Sequence, residues 1–202
     1  MKLAGEYTFD APRGEVWTAL FDPEILASVM PGCEKLDLIG ENEYEGVLKI
    51  KVGPVQGKFN GKVKLTDIHE PDSYHMTIDG RGAPGFVKAE ADVRLSEEDG
   101  HTVLHYESDA KVGGRVATVG QRLLDSSAKA ITKQSLEGLA KVITARTEAV
   151  ENDEPPAPVE APSQAEFAAN VAKEVAKDLV PKPVLIGIVG AIVLLLAWLF
   201  SG

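Results

Sequence analysis

The sequence predicts an α+β fold in which a curved antiparallel sheet wraps around a long C-terminal helix, an arrangement called the helix grip. Apolar and polar residues alternate with a period of two through most of residues 34–112, which is typical of strands with one buried face. A helical period follows over residues 115–146. The order strand, two short helices, six strands and one long helix is the order expected of this fold.

The first elements are a short strand and two short helices. Residues 3–9 alternate as a strand does, and Asp10 offers an N-cap to the helix that follows. Pro23 opens a second helical segment, which the Pro31-Gly32 pair ends. The apolar face of the first helix consists of Val16, Trp17, Leu20 and Phe21.

Six further strands are separated by residues that favour tight turns, such as Gly53-Pro54 and Asp99-Gly100. They are predicted at residues 34–39, 44–52, 55–69, 73–81, 86–95 and 102–112. The glycine-rich segment 80–85 is predicted to be a mobile loop that covers a pocket. One continuous helix is predicted from Arg115 to about Arg146.

The strand face that points towards the long helix carries many small residues. They cannot fill a wide gap at native density, so either the helix approaches closely or a ligand cavity remains. The glycines alone could serve strand curvature. The small residues are Gly57, Gly61, Ala89, Ala91, Ser108 and Ala110.

Polar groups on this face are few, which favours a large apolar ligand with one or two hydrogen-bonding oxygens. They are mainly Tyr7, Tyr74, Tyr106 and Ser108, and each tyrosine could instead belong to the core. The candidate ligand-binding residues are Tyr7, Phe59, Met76, Ile78, Phe86, Ala89, Tyr106, Val116, Val119, Leu123 and Leu124.

No pattern indicates catalysis, a metal site or nucleic-acid binding. The chain has a formal net charge of -10, a single cysteine (Cys33) and no zinc, nucleophile-elbow or phosphate-loop motif. Two of the four histidines are predicted to lie on opposite faces of one hairpin, with His69 opposite Tyr74 and His75 opposite Ile68. A lysine cluster lies on outward strand positions, where it is a solvated face or binds anionic lipid or an acidic partner. Its members are Lys49, Lys51, Lys58, Lys62 and Lys64.

The C-terminal quarter predicts a tether to a membrane. Residues 147–164 are rich in Pro, Glu and Ala and predict a disordered linker, and residues 165–180 carry a weak apolar stripe. Residues 184–200 are an uninterrupted apolar run, long enough for a transmembrane anchor, with a buried core helix as the alternative. Lys173, Lys177 and Lys182 precede this run, which places the domain 1–146 at the cytoplasmic face of the cell membrane.

Several segments resemble the CoxG family, the G subunit of carbon monoxide dehydrogenase, within the START-like (SRPBCC) helix-grip superfamily. They are Asp10-Ala11-Pro12 before Val16-Trp17, the turn Met30-Pro31-Gly32-Cys33, and the segments 57–63 and 113–120.

The resemblance implies a non-catalytic accessory protein that recruits a molybdenum hydroxylase of the carbon monoxide dehydrogenase type to the membrane. It also implies coupling to a respiratory quinone, either menaquinone or ubiquinone. A plain tether without ligand, a general binder of hydrophobic lipids and an enzyme of the superfamily's cyclase kind are the alternatives.

Overall fold

The computed structural model describes residues 1–152, together with the helical positions 169, 171 and 172. Within this part of the chain, seven strands form one antiparallel sheet and three α-helices accompany it. The strands are β1 (Lys2–Phe9), β2 (Cys33–Gly40), β3 (Glu43–Val52), β4 (Val55–His69), β5 (Ser73–Gly82), β6 (Gly85–Glu98) and β7 (His101–Gly113). The helices are α1 (Arg13–Phe21), α2 (Pro23–Val29) and α3 (Gln121–Asn152), with a 3-10 helix at Arg115–Val119.

The strands follow one another across the sheet in the order β1-β7-β6-β5-β4-β3-β2. Strands β2 to β7 therefore form a continuous meander, and β1 joins its far edge beside β7. This confirms the predicted α+β fold, with a curved antiparallel sheet and a long C-terminal helix.

The hairpin turns fall where the sequence predicts them, but the register of one hairpin differs. Asp67 has a φ of 49°, and the pairing of β4 with β5 shifts between Thr66 and His69. His69 consequently lies opposite Ser73, and His75 lies opposite Thr66. The predicted pairs of these two histidines were wrong because a bulge of this kind leaves no sign in the apolar pattern.

The two short helices begin with different caps. Pro12 occupies the N-cap position of α1 and no side chain caps that helix, so the predicted role of Asp10 was wrong. In α2, Asp22 Oδ1 accepts hydrogen bonds from the backbone nitrogens of Glu24 (2.9 Å) and Ile25 (3.1 Å). Proline stands in the first turn of α2, as predicted.

The long helix begins later than predicted and ends later too. Residues 115–119 form the 3-10 helix, and Gly120, with a φ of 92°, separates it from α3. Residues other than glycine rarely adopt this backbone conformation. The apolar period continues across Gly120, so it gave no sign that the helix is interrupted there. At its other end α3 passes Arg146 and reaches Asn152.

One end of the space between sheet and helices is filled by aromatic side chains, and we call it the filled end. Trp17 stacks on Phe21 with ring centroids 4.7 Å apart, and both rings meet the edge of Tyr74. The Tyr44 hydroxyl donates a hydrogen bond to the Phe21 carbonyl at 3.0 Å. The other core residues here include Phe9, Val16, Leu65, Val93, Leu95, Leu104, Leu139, Val142 and Ile143.

The predicted membrane tether lies largely outside the described residues. This holds for residues 153–164 of the linker, for the stripe at 165–180 apart from positions 169, 171 and 172, and for the anchor at 184–200. These assignments stay predictions. Among the described residues, no helix combines the length and the apolarity that a membrane crossing requires.

Candidate functional site

The inner face of the sheet, meaning the side chains that point towards α3, is only half-buried along its centre. The half-buried residues belong to the five adjacent strands β3 to β7, each of which is paired with another strand on both sides. Their side chains point inward, so this partial exposure indicates a space between sheet and helix, which we call the hollow. The half-buried inner residues are Leu48, Ile50, Gly61, Val63, Met76, Ile78, Val87, Ala89, Tyr106 and Ser108.

A row of glycines crosses the inner face of the sheet. Gly46, Gly61 and Gly80 lie side by side on β3, β4 and β5, but Leu36 covers Gly46, since a Cβ atom there would lie 3.1 Å from Leu36 Cδ1. A Cβ atom built on Gly61 would have only backbone atoms of β5 within 4 Å, and one on Gly80 only the carbonyl oxygen of Val87. No side chain lies within 4 Å of a Cβ atom at either position, and of the two glycines Gly61 is half-buried while Gly80 is buried.

Gly57, by contrast, is small for a structural reason. A Cβ atom on Gly57 would lie 2.3 Å from Cγ of Pro84, whose side chain is fully buried. Gly82 and Gly85 bring the ends of β5 and β6 together around Pro84, and Pro84 O accepts a hydrogen bond from the nitrogen of Val116 at 2.9 Å. Most of the segment 80–85 therefore belongs to β5 and β6, and a tight turn at Ala83 and Pro84 closes one end of the grip where a loop was predicted.

The predicted ligand-binding residues fall into three groups. Tyr7, Met76 and Tyr106 pack against the filled end and border the hollow from that side. Phe59 and Val116 are buried but do not belong to that core cluster. The remaining residues that are half-buried and outside the core cluster are Ile78, Ala89, Val119, Leu123 and Leu124.

Phe86 does not belong to the predicted site. It lies opposite Arg81 on one side and Gly113 on the other, in a row that points away from α3. Its side chain is 42% exposed, and a Cβ on Gly113 would lie 2.2 Å from the Phe86 ring. The prediction followed apolarity, whereas the two-residue period of β6 puts Phe86 on the face opposite to that of Val87 and Ala89.

Hydroxyl groups at the border between the filled end and the hollow stay protonated at neutral pH. Burial, together with the nearby Glu137 carboxylate, raises the pKa of Tyr7, and burial raises the pKa of Tyr106. A neutral phenol can donate a hydrogen bond to a carbonyl oxygen. Ser108 Oγ donates to the carbonyl of Leu3 at 3.3 Å, so this hydroxyl is already engaged.

The N-terminal half of α3 carries buried polar side chains that the sequence analysis did not single out. Ser126 Oγ, Ser127 Oγ and Gln134 Oε1 have no hydrogen-bond partner within the described part of the chain. Ser127 and Gln134 lie two helical turns apart on one face. Buried oxygens without partners are uncommon in folded proteins, so these three side chains are unusual features of this half of the helix. In the sequence these residues could have been recognised as polar positions on an otherwise apolar helical face.

A second concavity, a groove of about 610 Å³, crosses the outward face of the sheet. Its charged walls include Lys62, Asp79, Lys88 and Lys111, which lie opposite one another across four strands. Its lining also includes Val63, Ile78 and Ala89, so two of the predicted ligand-binding residues, Ile78 and Ala89, border this groove as well. Among the described residues, no group of three or more His, Cys, Asp or Glu side chains is arranged to hold a metal ion.

Comparison with known families matches residues 5–144 to the family described as the G subunit of carbon monoxide dehydrogenase (CoxG). The chain belongs to the CoxG family. The match covers most of the sheet, both short helices and most of α3, and therefore the whole hollow. CoxG proteins are accessory subunits rather than catalytic ones, and the family supports an association with carbon monoxide dehydrogenase or the binding of a hydrophobic ligand.

Solved structures agree with this assignment at the level of the fold. A conserved protein from Geobacillus kaustophilus is 37% identical, with a TM-score of 0.69, and the alignment covers 71% of this chain and 95% of that one. The ZhuI aromatase/cyclase from Streptomyces sp. R1128 is 14% identical, with a TM-score of 0.55 over 74% of this chain and 97% of that one. A protein from Thermus thermophilus, TTHA0849, is also 14% identical, with a TM-score of 0.54 over 73% and 99%. No curated protein matches the chain.

Proposed function

We propose that this CoxG protein binds a respiratory quinone in the hollow and couples a molybdenum hydroxylase of the carbon monoxide dehydrogenase type to the membrane. The observation that carries the proposal is the half-buried inner face of the sheet, where apolar side chains and the backbone of Gly61 stay partly accessible to solvent. A folded domain that leaves apolar surface accessible inside its own grip gains by covering it with an apolar ligand.

The chemistry of the border suits a quinone better than a plain hydrocarbon. A quinone has a flat apolar ring with two carbonyl oxygens, and each oxygen accepts hydrogen bonds but donates none. Tyr7 and Tyr106 retain their phenolic protons and pack against the filled end, and the Tyr106 hydroxyl lies over Gly5 of the edge strand β1. Quinone carbonyls could therefore be bound without any charged group, in keeping with the apolar surroundings.

Coupling to a membrane and to the dehydrogenase is supported from two other directions. The apolar run at residues 184–200 predicts an anchor, and the acidic, proline-rich segment before it predicts a tether that lets the domain leave the bilayer surface. Membership of the CoxG family supports the enzyme partner. A domain with an apolar hollow on such a tether has the properties that extraction of a membrane quinone requires.

The proposal can be tested on the full chain purified from membranes in detergent. Organic extraction followed by mass spectrometry measures the quinone bound per protein, which we expect to approach one equivalent. The variant Ala89→Phe, which projects a ring into the hollow, should lose most of this quinone. The matched control is Glu90→Phe, one residue along the same strand on the outward face, and it should retain the quinone.

Equal quinone contents in all three proteins would contradict binding in the hollow. Absence of quinone from the unmodified chain, with no uptake when quinone is added to the micelles, would favour the plain tether. A different co-purified lipid that Ala89→Phe displaces would support the general lipid-binding alternative.

A further inference from the structure

The outward face of the sheet has a basic half that the proposed function does not use. Its cations lie in adjacent rows across β3 to β7. One row runs from Lys62 through Asp79 and Lys88 to Lys111, and the neighbouring rows carry Arg81 and the pair Lys49 and Lys58. We call this surface the basic patch. It consists of Lys49, Lys51, Lys58, Lys62, Lys64, Arg81, Lys88 and Lys111.

Neighbouring carboxylates neutralise only part of the basic patch. Lys58 pairs with Glu34 at 2.6 Å and Lys64 with Glu43 at 2.8 Å. The Asp79 carboxylate forms ion pairs with both Arg81, at 3.1 Å, and Lys88, at 3.6 Å. The lysines without an ion-pair partner among the described residues are Lys49, Lys51, Lys62 and Lys111.

The charge is segregated along the strands as well. The row of Lys64 is mixed, since it also carries Glu43, Glu90 and Asp109. Beyond it the outward positions are mainly acidic or histidine, with Asp92 beside Glu107 in one row and Glu6, His105 and Arg94 in the next. The chain as a whole carries a net charge of -10, so the basic patch is a local exception to an acidic surface. Such a dipolar surface orients a domain in front of a negatively charged partner.

An exposed aromatic ring stands within the basic patch. Phe86 lies directly opposite Arg81 and two positions from Lys88, and its ring lies over Gly113, which has no side chain to displace it. The ring is 42% exposed, and it is one of the large apolar side chains that the described surface leaves uncovered. The patch therefore combines cations on long flexible stems with one apolar side chain at the level of the sheet.

We propose that the basic patch, with Phe86 at its centre, rests on the anionic surface of a lipid bilayer. Lysine is depleted in protein–protein interfaces, whereas lysine clusters beside a membrane attract acidic headgroups through simple electrostatics. Seven of the eight cations of the patch are lysines. An aromatic ring among such cations matches the headgroup region, where aromatic side chains enter the boundary with the acyl chains. These features favour a lipid surface over an acidic protein partner.

The test uses the full chain reconstituted in vesicles, so that the tether is the same in every sample. A single cysteine is placed at Asn60, an exposed outward position of β4 opposite Arg81, in a Cys33→Ser background, and labelled with an environment-sensitive fluorophore. A second sample carries the label at Glu107 in the acidic half. The vesicles contain phosphatidylcholine alone or with about 30 mol% phosphatidylglycerol.

We expect a blue shift at position 60 in the anionic vesicles only, and no shift at position 107. Raising the salt to about 0.5 M should remove it, because exposed charges are then screened. The triple variant Lys62→Glu, Lys88→Glu and Lys111→Glu should abolish the shift, and Phe86→Ala should reduce it. The matched control reverses three exposed lysines of α3 and should retain the shift. These lysines are Lys129, Lys133 and Lys141.

Equal emission from position 60 in the two kinds of vesicle would overturn the proposal, and so would a shift that survives the charge reversal in the patch. Circular dichroism confirms that each variant is folded, which is expected because every substituted lysine is exposed. The quinone content of the triple variant is measured in parallel. Since the patch and the hollow lie on opposite faces, loss of the fluorescence shift with quinone retained separates this inference from the proposed function.

Discussion

Replacement of Ala89 by phenylalanine is the most direct measure of whether the hollow is empty. Ala89 is half-buried on the inner face of β6, whereas Val93, on the same face of the same strand, is 3% exposed and belongs to the core cluster of the filled end. The variants Ala89→Phe and Val93→Phe therefore place the same ring on one strand, four residues apart, in the two environments that the structure distinguishes.

The two substitutions are expected to change the free energy of unfolding differently. A phenylalanine side chain buries roughly 150 Å² or more, so partial burial in an open space contributes about 1 to 2 kcal/mol at 25 cal/mol per Å². Loss of rotamer freedom offsets about 1 kcal/mol of this, which leaves Ala89→Phe neutral or slightly stabilising. At Val93 the ring enters a close-packed core, where overpacking costs about 1 to 3 kcal/mol.

Urea unfolding followed by far-ultraviolet circular dichroism gives both free energies of unfolding. The reasoning is refuted if Ala89→Phe destabilises the protein as much as Val93→Phe, because side chains would then already fill the space beside Ala89. A neutral Ala89→Phe that also loses its quinone would locate the ligand in the hollow rather than at the membrane tether.

Three further predictions concern the scaffold and are measured by the same unfolding assay. Tyr44→Phe removes the hydrogen bond to the Phe21 carbonyl and should cost about 1 kcal/mol, and an unchanged stability would show that this bond contributes nothing net. Gly120→Ala should cost about 1 kcal/mol or more, because Gly120 has a φ of 92°. Burial raises the pKa of Tyr74 above its ordinary value of 10.0, so its contribution to stability is complete below that pH and is lost at higher pH, where the unfolded chain ionises first. The urea midpoint should therefore fall between about pH 9 and about pH 11, and less so in Tyr74→Phe; an equal fall in both proteins would contradict this assignment.

The period of the apolar residues was sufficient to predict most of the sheet. It indicated seven strands and the face of the inner residues, because a half-buried sheet imposes strict alternation on its sequence. The small residues Gly61 and Ala89 were singled out for the same reason, and the structure places both beside the hollow. Fold and inner face could thus be read from local sequence alone.

The features that the sequence did not reveal depend on single backbone positions or on contacts between distant residues. The shift of register at Asp67 and the break at Gly120 each depend on one residue with a positive φ, which no apolar period encodes. Gly57 was left open between a cavity, close approach of the helix and strand curvature, and the structure shows that Pro84, distant in sequence, occupies the space above it. Phe86 was assigned by its apolar character although its parity gave the opposite face, and here the period was the better guide.

The hollow and the basic patch arise from the same strands, because successive residues of a strand point to opposite faces. Gly61 and Gly80 lie on the inner face, while their immediate neighbours Lys62 and Arg81 belong to the patch. A sheet is about 10 Å thick including its side chains, so a patch that rests on a bilayer would hold the hollow close above the headgroups. Charge reversal in the patch should therefore slow quinone exchange with anionic vesicles and leave the bound amount unchanged. Stopped-flow transfer of a fluorescent quinone analogue measures that rate, and an unchanged rate would show that the two faces act independently.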